Sequence, residues 1–397
     1  MEQKWTDWHK EAAYAYFFEK LRGIGTKTIE RLHRRHGSYE AMYRQGEKDT
    51  DLLKEGQREE FCRLYGIWDI EKEYLKLLRN KIWCVPKMLA GYPEKLQHIL
   101  TPPSALFIKG RLPDPDKPAA ALIGARNCSP YGEYAAKQLG ASLAKRGIQV
   151  ISGLARGIDS TGQYAAVKAG GSSFGILGCG VDICYPKESE ELYELLVKGG
   201  EKGGILSELC PGTEPLAAFF PMRNRLISGL ADSVIVIEAR EKSGTFITVS
   251  EALEQGKDVY ALPGRINDAL SYGCNRLIGQ GAFVAYDVEE CIRQIEERFY
   301  AIRKTKKRSD AYDIMSVKEP DQAEPVQSGQ RMSITDPMEN CKFMLLDKLD
   351  IQFVSLDQLM SEVGEKAEIS LLLAALSTLE CEGKVESKGN FYRKRME

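Results

Sequence analysis

The fold is indicated most clearly by residues 148–159, which read Ile148-Gln149-Val150-Ile151-Ser152-Gly153-Leu154-Ala155-Arg156-Gly157-Ile158-Asp159. The apolar residues at 148–151 predict a short strand, because a strand covered on both faces is apolar along most of its length. The small residues and glycines that follow are typical of a tight loop in which the backbone can approach a ligand closely. This stretch therefore predicts a strand that ends in a loop at the edge of a parallel sheet.

The same arrangement recurs on both sides of this stretch. Apolar runs stand about every 25–30 residues along the chain, at 120–123, 148–151, 174–177, 204–206, 234–237, 259–262 and 282–285. Helical periodicity fills several of the gaps, for example at residues 131–145 and 248–255. Strands that alternate with helices predict a doubly wound parallel α/β sheet.

The chain divides into four segments by sequence pattern. Residues 1–100 are predicted to form a helical domain, and residues 101–298 form the α/β domain. Residues 299–340 have the polar composition of a flexible linker, and helical periodicity returns in residues 341–397. The predicted organisation is thus two flanking domains around a central sheet.

Three short motifs outside the α/β domain leave alternatives open. Residues 21–28 resemble the turn of a helix-hairpin-helix, whose N–H groups bind phosphate, but also fit a plain turn between helices. The basic run at 303–308 is typical of a solvated tether, with an auxiliary nucleic-acid contact as the alternative. Predicted helices at 356–360 and 369–380, followed by a predicted hairpin at 383–393, resemble a winged helix. Winged helices bind DNA in some proteins and protein partners in others, so no role follows from this fold.

The charge balance limits how this protein could bind a polyanion. The chain contains 55 Lys and Arg against 57 Asp and Glu, a formal net charge of −2. A protein that coats nucleic acid through bulk positive charge is strongly basic, so that class is excluded. Any polyanion must be bound by a local patch.

Composition also bears on compartment and metal binding. The first ten residues lack the apolar segment of a secretory signal, and no run approaches the ~20 apolar residues of a membrane span. We therefore expect a cytoplasmic protein with no membrane segment. The ten cysteines are scattered along the chain and are expected to be reduced, and the four histidines make a metal centre unexpected.

Four segments of the α/β domain carry the residues that could bind phosphate, at 123–129, 151–159, 219–225 and 238–245. Because the carboxyl ends of parallel strands share one edge, we expect these segments to converge into a positive patch of Arg126, Arg156, Arg223, Arg225 and Lys242. Residues 101–290 carry 19 basic and 22 acidic residues, so the patch would be local. The alternative for each segment is ordinary turn chemistry, with its arginine paired to a structural carboxylate.

The same segments argue against several enzyme classes. Arg126 stands where the dinucleotide fingerprint needs its second glycine, and the chain has no Gly-Lys-Ser/Thr P-loop. No Ser-His-Asp set can be assembled from the four histidines, so we expect neither a catalytic centre nor a cofactor. The adjacent Phe219 and Phe220 would either stack on bases or belong to the core.

A series of motifs runs in fixed order through the α/β domain. It includes Gly124-Ala125-Arg126, Ser152-Gly153-Leu154-Ala155-Arg156-Gly157-Ile158-Asp159, Gly178-Cys179-Gly180-Val181-Asp182, Phe220-Pro221-Met222-Arg223-Asn224-Arg225, Ser243-Gly244-Thr245 and Gly273-Cys274-Asn275-Arg276. This order resembles that of the DprA (Smf) family of DNA-processing proteins. The resemblance covers about residues 100–290 without interruption.

The resemblance implies an extended Rossmann-type domain between an N-terminal SAM-like or helix-hairpin-helix-like domain and a C-terminal winged-helix-like domain. It implies a protein that is not an enzyme, binds single-stranded DNA, forms a homodimer, protects incoming DNA and loads the RecA recombinase during natural transformation. The predicted DNA-binding residues are Gly124, Arg126, Ser129, Ser152, Gly153, Arg156, Gly157, Phe220, Arg223, Asn224, Arg225, Lys242, Ser243 and Gly244.

The chain departs from the family pattern at three places. Members commonly carry a histidine after the Gly-Ile-Asp motif, where this chain has Gly162-Gln163-Tyr164. Ala217 and Ala218 occupy a stretch that is often basic, and Lys187-Glu188-Ser189 replaces the usual asparagine. The loss of a basic group predicts a lower DNA affinity than is usual for the family.

Two rival functions remain open on sequence grounds. The same Rossmann variant occurs in nucleotide-processing hydrolases of the Lys-decarboxylase-like (LOG) group, which need a Glu shortly after a Gly-Thr pair. Here Gly244-Thr245 is followed by Phe246-Ile247-Thr248, and the first Glu is Glu251, a spacing that argues against the hydrolase. The other rival is an adaptor protein with a vestigial pocket.

Overall fold

The computed structural model describes residues 5–45, 48, 52–198 and 203–316, with only the backbone described over 305–316. Near the C-terminus it describes residues 342, 345, 349, 354–355, 359, 369–382, 384–388 and 391–394. The chain separates into two compact units, Met1–Val317 and Lys318–Glu397. Each unit is built around its own core.

The first unit begins with helices. They are α1 (Asp7–Lys20), α2 (Thr26–His36), α3 (Tyr39–Gln45), α4 (Glu55–Tyr65) and α5 (Ile70–Arg79). Thr6 caps α1 by accepting the backbone N–H of His9, and Asp69 caps α5 by accepting that of Lys72. Aromatic side chains, including Phe17, Phe18 and Phe61, form the core between these helices.

A nine-stranded sheet forms the centre of the first unit. Its strands are β1 (Ile82–Pro86), β2 (Ala105–Gly110), β3 (Ala119–Ile123), β4 (Gln149–Ser152), β5 (Ser173–Ile176), β6 (Gly203–Ser207), β7 (Ser233–Val236), β8 (Asp258–Ala261) and β9 (Phe283–Val284). The strand order is β1-β2-β6-β5-β4-β3-β7-β8-β9. All neighbours from β6 to β9 are parallel, whereas β1 and β2 pair antiparallel. The expectation of a mixed α/β fold around a large, mostly parallel sheet is confirmed.

Helices cover both faces of this sheet. They are α6 (Glu94–Gln97), α7 (Pro130–Lys145), α8 (Ile158–Lys168), α9 (Glu190–Lys198), α10 (Phe219–Leu230), α11 (Thr245–Glu254), α12 (Tyr272–Gly279) and α13 (Val288–Ser316). Along β3, Ala119, Ala121 and Ile123 pack with α10, α11 and α12 on one face. The alternate residues Ala120 and Leu122 pack with α7, α8 and α13 on the other face, as the two-residue period of a strand requires.

The element boundaries differ from the sequence prediction at both ends of the α/β region. Strand β1 lies before residue 101 and belongs to the sheet, so the sheet begins inside the predicted helical segment. Helix α13 continues to Ser316, past the predicted start of the linker at residue 299, because Phe299 is buried and Arg303 pairs with Asp116. The division of the chain into four domains stays a prediction.

The second unit contains a helix and a small sheet among its described residues. Helix α14 (Ile369–Cys381) contributes Leu372, Leu376 and Leu379 to the core, and β11 (Val385–Lys388) pairs antiparallel with β12 (Phe391–Lys394). Strand β10 (Val354–Ser355) joins the other side of β12. Most of the helix predicted at 356–360 lies outside the described residues, and the winged-helix assignment stays a prediction.

No helix in the described parts of the chain is both long and apolar enough to cross a membrane.

Candidate nucleic-acid interface

A cavity of about 590 Å³ opens at the carboxyl edge of the parallel strands. Its walls come from the loop after β3, the loop after β4, the first turns of α10, and the segment between β7 and α11. Parallel strands bring the residues that follow them to one edge, which is why segments distant in sequence meet here. Of the predicted residues, eight line this cavity: Gly124, Arg126, Phe220, Arg223, Asn224, Lys242, Ser243 and Gly244.

A smaller cavity of about 100 Å³ adjoins the first and shares Arg126, Phe220 and Arg223 with it. Gly153 and Arg156, two further predicted residues, line this second space. The exposed Arg156 pairs with the equally exposed Glu188 at 2.5 Å. Because such a surface pair contributes little free energy, a phosphate group could replace Glu188 as the partner of Arg156.

Two aromatic rings form a ledge beside the positive charges. The rings of Tyr185 and Phe220, here called the aromatic ledge, have centroids 5.3 Å apart at an interplanar angle of 36°. The exposed guanidinium of Arg126 lies over Phe220, 5.8 Å from the ring centroid, within the range of a cation–π contact. The ledge therefore offers a π surface and a cation to the same ligand.

Sequence reasoning identified only one of the two rings. It left Phe220 open between base stacking and the core, and the structure places this ring half-buried on the cavity wall. It did not select Tyr185, which lines both cavities. The available signal was the Tyr185-Pro186 pair in the loop after β5, at the same edge of the sheet.

Arg223 lies in the floor of the site and not on its surface. The side chain is 5% exposed, and its Nη1 donates to the carbonyl oxygens of Gly153, at 2.9 Å, and of Ile176. These contacts tie the ends of β4 and β5 together. A Cβ atom on Gly153 would overlap the guanidinium of Arg223, so a larger residue there would displace this side chain from its carbonyl partners. The structure thus assigns this arginine a structural role beneath the cavity.

Asp159 balances the buried charge of Arg223. Its carboxylate accepts the backbone N–H of Gly153 at 3.1 Å. Burial raises the pKa of Asp159, and the nearby Arg223 guanidinium opposes that rise. Burial lowers the pKa of Arg223 to about 10, and Asp159 opposes that fall. The two opposite charges are buried close enough to influence each other, and both side chains bind the backbone of Gly153 in the loop after β4.

Four predicted residues lie outside both cavities. The Ser129 hydroxyl donates to the buried Glu238 and accepts the N–H of Gly132 at the start of α7. The Ser152 hydroxyl donates to the carbonyl of Leu122 at 2.5 Å. Gly157 precedes α8 with a φ of +77°, which favours glycine, and a Cβ there would overlap the backbone of the loop after β3.

Arg225 is the fourth residue outside the cavities. Both of its terminal nitrogens bind Glu208, at 2.7 and 2.5 Å, and its Nε donates to the carbonyl of Thr101 at 2.9 Å. The two charged side chains are only 12% and 15% exposed. The alternative of an arginine paired with a structural carboxylate therefore describes Arg225, although the sequence placed it in the positive patch.

Comparison with known proteins decides the family. Residues 84–296 match the family model described as DNA recombination-mediator protein A. The chain belongs to this family. The predicted resemblance to DprA and Smf proteins is thereby confirmed.

Relatives and a solved structure agree with this assignment. The DNA processing protein DprA of Streptococcus pneumoniae is 39% identical over 205 residues, which are 52% of this chain and 71% of that protein. The corresponding protein of Bacillus subtilis is 37% identical over 238 residues, covering 58% of this chain and 79% of that protein. The X-ray structure of DNA processing protein A from Streptococcus pneumoniae matches with a TM-score of 0.58 and 30% identity, over 71% of this chain and 97% of that one.

The family also bears on the enzymatic alternative. Its relatives are named as DNA-processing proteins and recombination mediators, and not as catalytic enzymes. Glu251, the acid closest to the position that the hydrolase group needs, lies on α11 and is not among the residues that line the main cavity. The chain is therefore a DNA-processing protein of the recombination-mediator family.

Proposed function

We propose that this protein binds single-stranded DNA in the cavity at the carboxyl edge of its sheet. The observation that carries the proposal is the position of the exposed Arg126 over the aromatic ledge, on the wall of a cavity of about 590 Å³. Binders of single strands combine cations for the phosphates with aromatic rings for the bases. Lys242 is an exposed second cation on the same wall.

The shape of the site favours a single strand over a duplex. In a duplex the faces of the bases are stacked on one another, whereas an unpaired base can lie on a ring of the aromatic ledge. The cavity is large enough for a nucleotide, and the cations in its described lining are Arg126, Arg223 and Lys242, of which Arg126 and Lys242 are exposed. With a net charge of −2 for the chain, affinity has to come from these few local cations. Ala217 lines the cavity without a charge, which agrees with a modest affinity.

Titration of labelled single- and double-stranded oligonucleotides at several salt concentrations tests the proposal. We expect tighter binding of the single strand and a logarithmic salt slope of about −0.7 for each phosphate neutralised. Two or three phosphate contacts would give a slope of about −1.4 to −2.1. Binding that is independent of salt, or a preference for the duplex, would contradict the proposal.

Tyr185 is expected to supply a second stacking surface beside Phe220. Tyr185→Ala should weaken single-strand binding by about 1–3 kcal/mol, or roughly 5- to 150-fold, because one base loses its aromatic partner. Tyr185→Phe keeps the ring and should bind almost as well as the wild type. Tyr134→Ala removes an exposed tyrosine from α7 that does not line either cavity, so it serves as the matched control. Equal affinities for Tyr185→Ala and Tyr134→Ala would disprove the stacking role.

We further propose that the bound strand is protected and passed to the RecA recombinase during natural transformation. The support is the family's description as a recombination mediator. RecA ATPase activity on a single strand covered by single-strand-binding protein measures such loading. Addition of this protein should shorten the lag before ATP hydrolysis, and Arg126→Ala should not. An unchanged lag with the wild-type protein would rule out loading.

We also propose that the protein forms a homodimer through the edge of the sheet at β9. Phe283, Val284 and Tyr286 are 39%, 38% and 70% exposed there, and Leu253 on α11 is 61% exposed. A self-complementary contact would cover this apolar edge. Light scattering should give twice the chain mass for the wild type and a lower mass for Val284→Lys.

A further inference from the structure

Helix α2 carries a stripe of positive charge that the cavity does not use. Lys27, Arg31 and Arg34 stand at positions i, i+4 and i+7 of this helix, and all three side chains are exposed. This spacing places them on one face, opposite the buried Ile29 and Leu32. The stripe is about 10 Å long at 1.5 Å per residue.

The charge of the stripe is not cancelled within its own helix. Glu30 is the single acidic residue in the sequence of α2. Its carboxylate binds Lys87 at 2.6 Å, and both side chains are largely buried, at 27% and 17% exposed. In a chain with a net charge of −2, this exposed row of three cations is a local positive surface that could bind an anion.

Sheet topology places this stripe at the same edge of the sheet as the cavity. Strand β1 is antiparallel to β2, and β2 is antiparallel to β6, so β1 runs in the same direction as β6 and β5. Lys87 directly follows β1 and therefore lies at the carboxyl edge, where the cavity opens. The Glu30–Lys87 pair anchors α2 there. Strand β1 is four strands from β4, a distance of about 19 Å at the usual spacing between strands.

We propose that the exposed stripe of α2 binds the phosphate backbone of the same DNA strand after that strand leaves the cavity. The inference rests on the proposed function of the cavity, which it extends along the edge from β4 to β1. The chemistry of the partner follows from the charges: a row of three cations on one helix face fits a repeating anion and carries no base selectivity. An acidic protein segment is the other anion that such a stripe could bind, and the test below separates the two.

The test compares short and long single strands in the full-length protein. An oligothymidylate of about 5 nucleotides should fill the cavity alone, whereas one of about 20 nucleotides should also reach α2. For wild-type protein we expect a steeper salt slope with the long strand. Lys27→Ala/Arg34→Ala should lower the slope for the long strand by about 1.4, from two lost phosphate contacts, and leave the short strand unchanged. The affinity for the long strand should fall about 3- to 30-fold at low salt.

The matched control is Lys76→Ala/Arg79→Ala in the last turn of α5. These exposed cations belong to the same helical segment, but the last turn of α5 leads into the beginning of β1 and so lies towards the opposite edge of the sheet. This variant should bind both strands like the wild type. All four tryptophans precede residue 84, so their fluorescence on heating reports whether either variant disturbs this part of the fold. Arg31→Ala is a second variant, kept separate because Arg31 also donates to the carbonyl of Leu52 at 3.3 Å.

The outcomes are distinct. If the α2 variant keeps the wild-type slope with the long strand while the short strand still binds, the stripe does not contact DNA and the cavity does. That result would leave an acidic protein segment as the partner and overturn the inference. If neither strand binds the wild type, the proposed function fails and the inference fails with it. A loss seen only with duplex DNA would also overturn it, because the path is that of a single strand.

Discussion

Replacement of Arg223 by Met is expected to lower the free energy of unfolding of the first unit by about 3–5 kcal/mol. The substitution removes the Nη1 group that donates to the carbonyls of Gly153 and Ile176 at the ends of β4 and β5. It also removes the buried positive charge that offsets the cost of burying the Asp159 carboxylate, which is the costlier effect. Urea unfolding followed by far-ultraviolet circular dichroism measures the change.

The loss of stability in Arg223→Met should depend on pH, because it depends on the ionisation of Asp159. Burial already raises the pKa of Asp159 above its ordinary value, and removal of Arg223 raises it further. A native state that holds this proton more tightly than the unfolded chain loses stability as pH rises, so the deficit should be smaller at low pH than at neutral pH. Arg223→Met/Asp159→Asn should recover part of the loss, because the unpaired charge is gone. An Arg223→Met protein as stable as the wild type would show that the buried pair does not support the site.

Arg126→Ala is expected to weaken single-strand binding by about 10- to 100-fold. The exposed guanidinium would make a charge-assisted contact with phosphate while it lies over Phe220. The salt slope should decrease by about 0.7, corresponding to one phosphate contact. Stability should stay within about 0.5 kcal/mol of the wild type, because the side chain is exposed. Fluorescence anisotropy across a salt series gives the affinity and the slope together.

Arg225→Ala is the informative counterpart, because it removes another arginine of the predicted positive patch. It takes the Arg225 partner from the Glu208 carboxylate in a site where both side chains are largely buried, so we expect a loss of about 1–3 kcal/mol in stability. Its salt slope should match the wild type, since Arg225 does not line either cavity. If Arg225→Ala changes the slope as much as Arg126→Ala does, the assignment of these two arginines is wrong.

The parallel part of the sheet could be read from the sequence. Strands β3 to β9 all coincide with predicted apolar runs, because most of them are covered by helices on both faces and contain few polar positions. Strands β1 and β2 were not predicted, although residues 82–85 and 105–108 are apolar runs of the same kind. Their antiparallel place in the sheet depends on pairing between segments about 20 residues apart and on the pairing of β2 with β6. An apolar run by itself specifies neither that direction nor those partners.

The sequence also predicted that the phosphate-binding segments converge. Once the strands are parallel, the segments after β3, β4 and β7 have to meet at one edge, and they do. Tyr185 was missed because its contribution depends on where the loop after β5 places the ring, 5.3 Å from Phe220. Nothing in the local sequence specifies that distance.

The amino-acid sequence by itself determined the parallel part of the sheet, the edge at which the predicted phosphate-binding segments meet, and the set of arginines in those segments. Only the tertiary structure decided what each arginine does. Arg223 and Arg225 are two positions apart on α10, so their side chains leave the helix on nearly opposite sides. One points into the floor beneath Gly153 and the other towards Glu208, while Arg126 stays exposed beside the aromatic ledge. The physical reason is that the role of a charged side chain depends on the residues that folding places next to it. Those residues lie far away in the sequence.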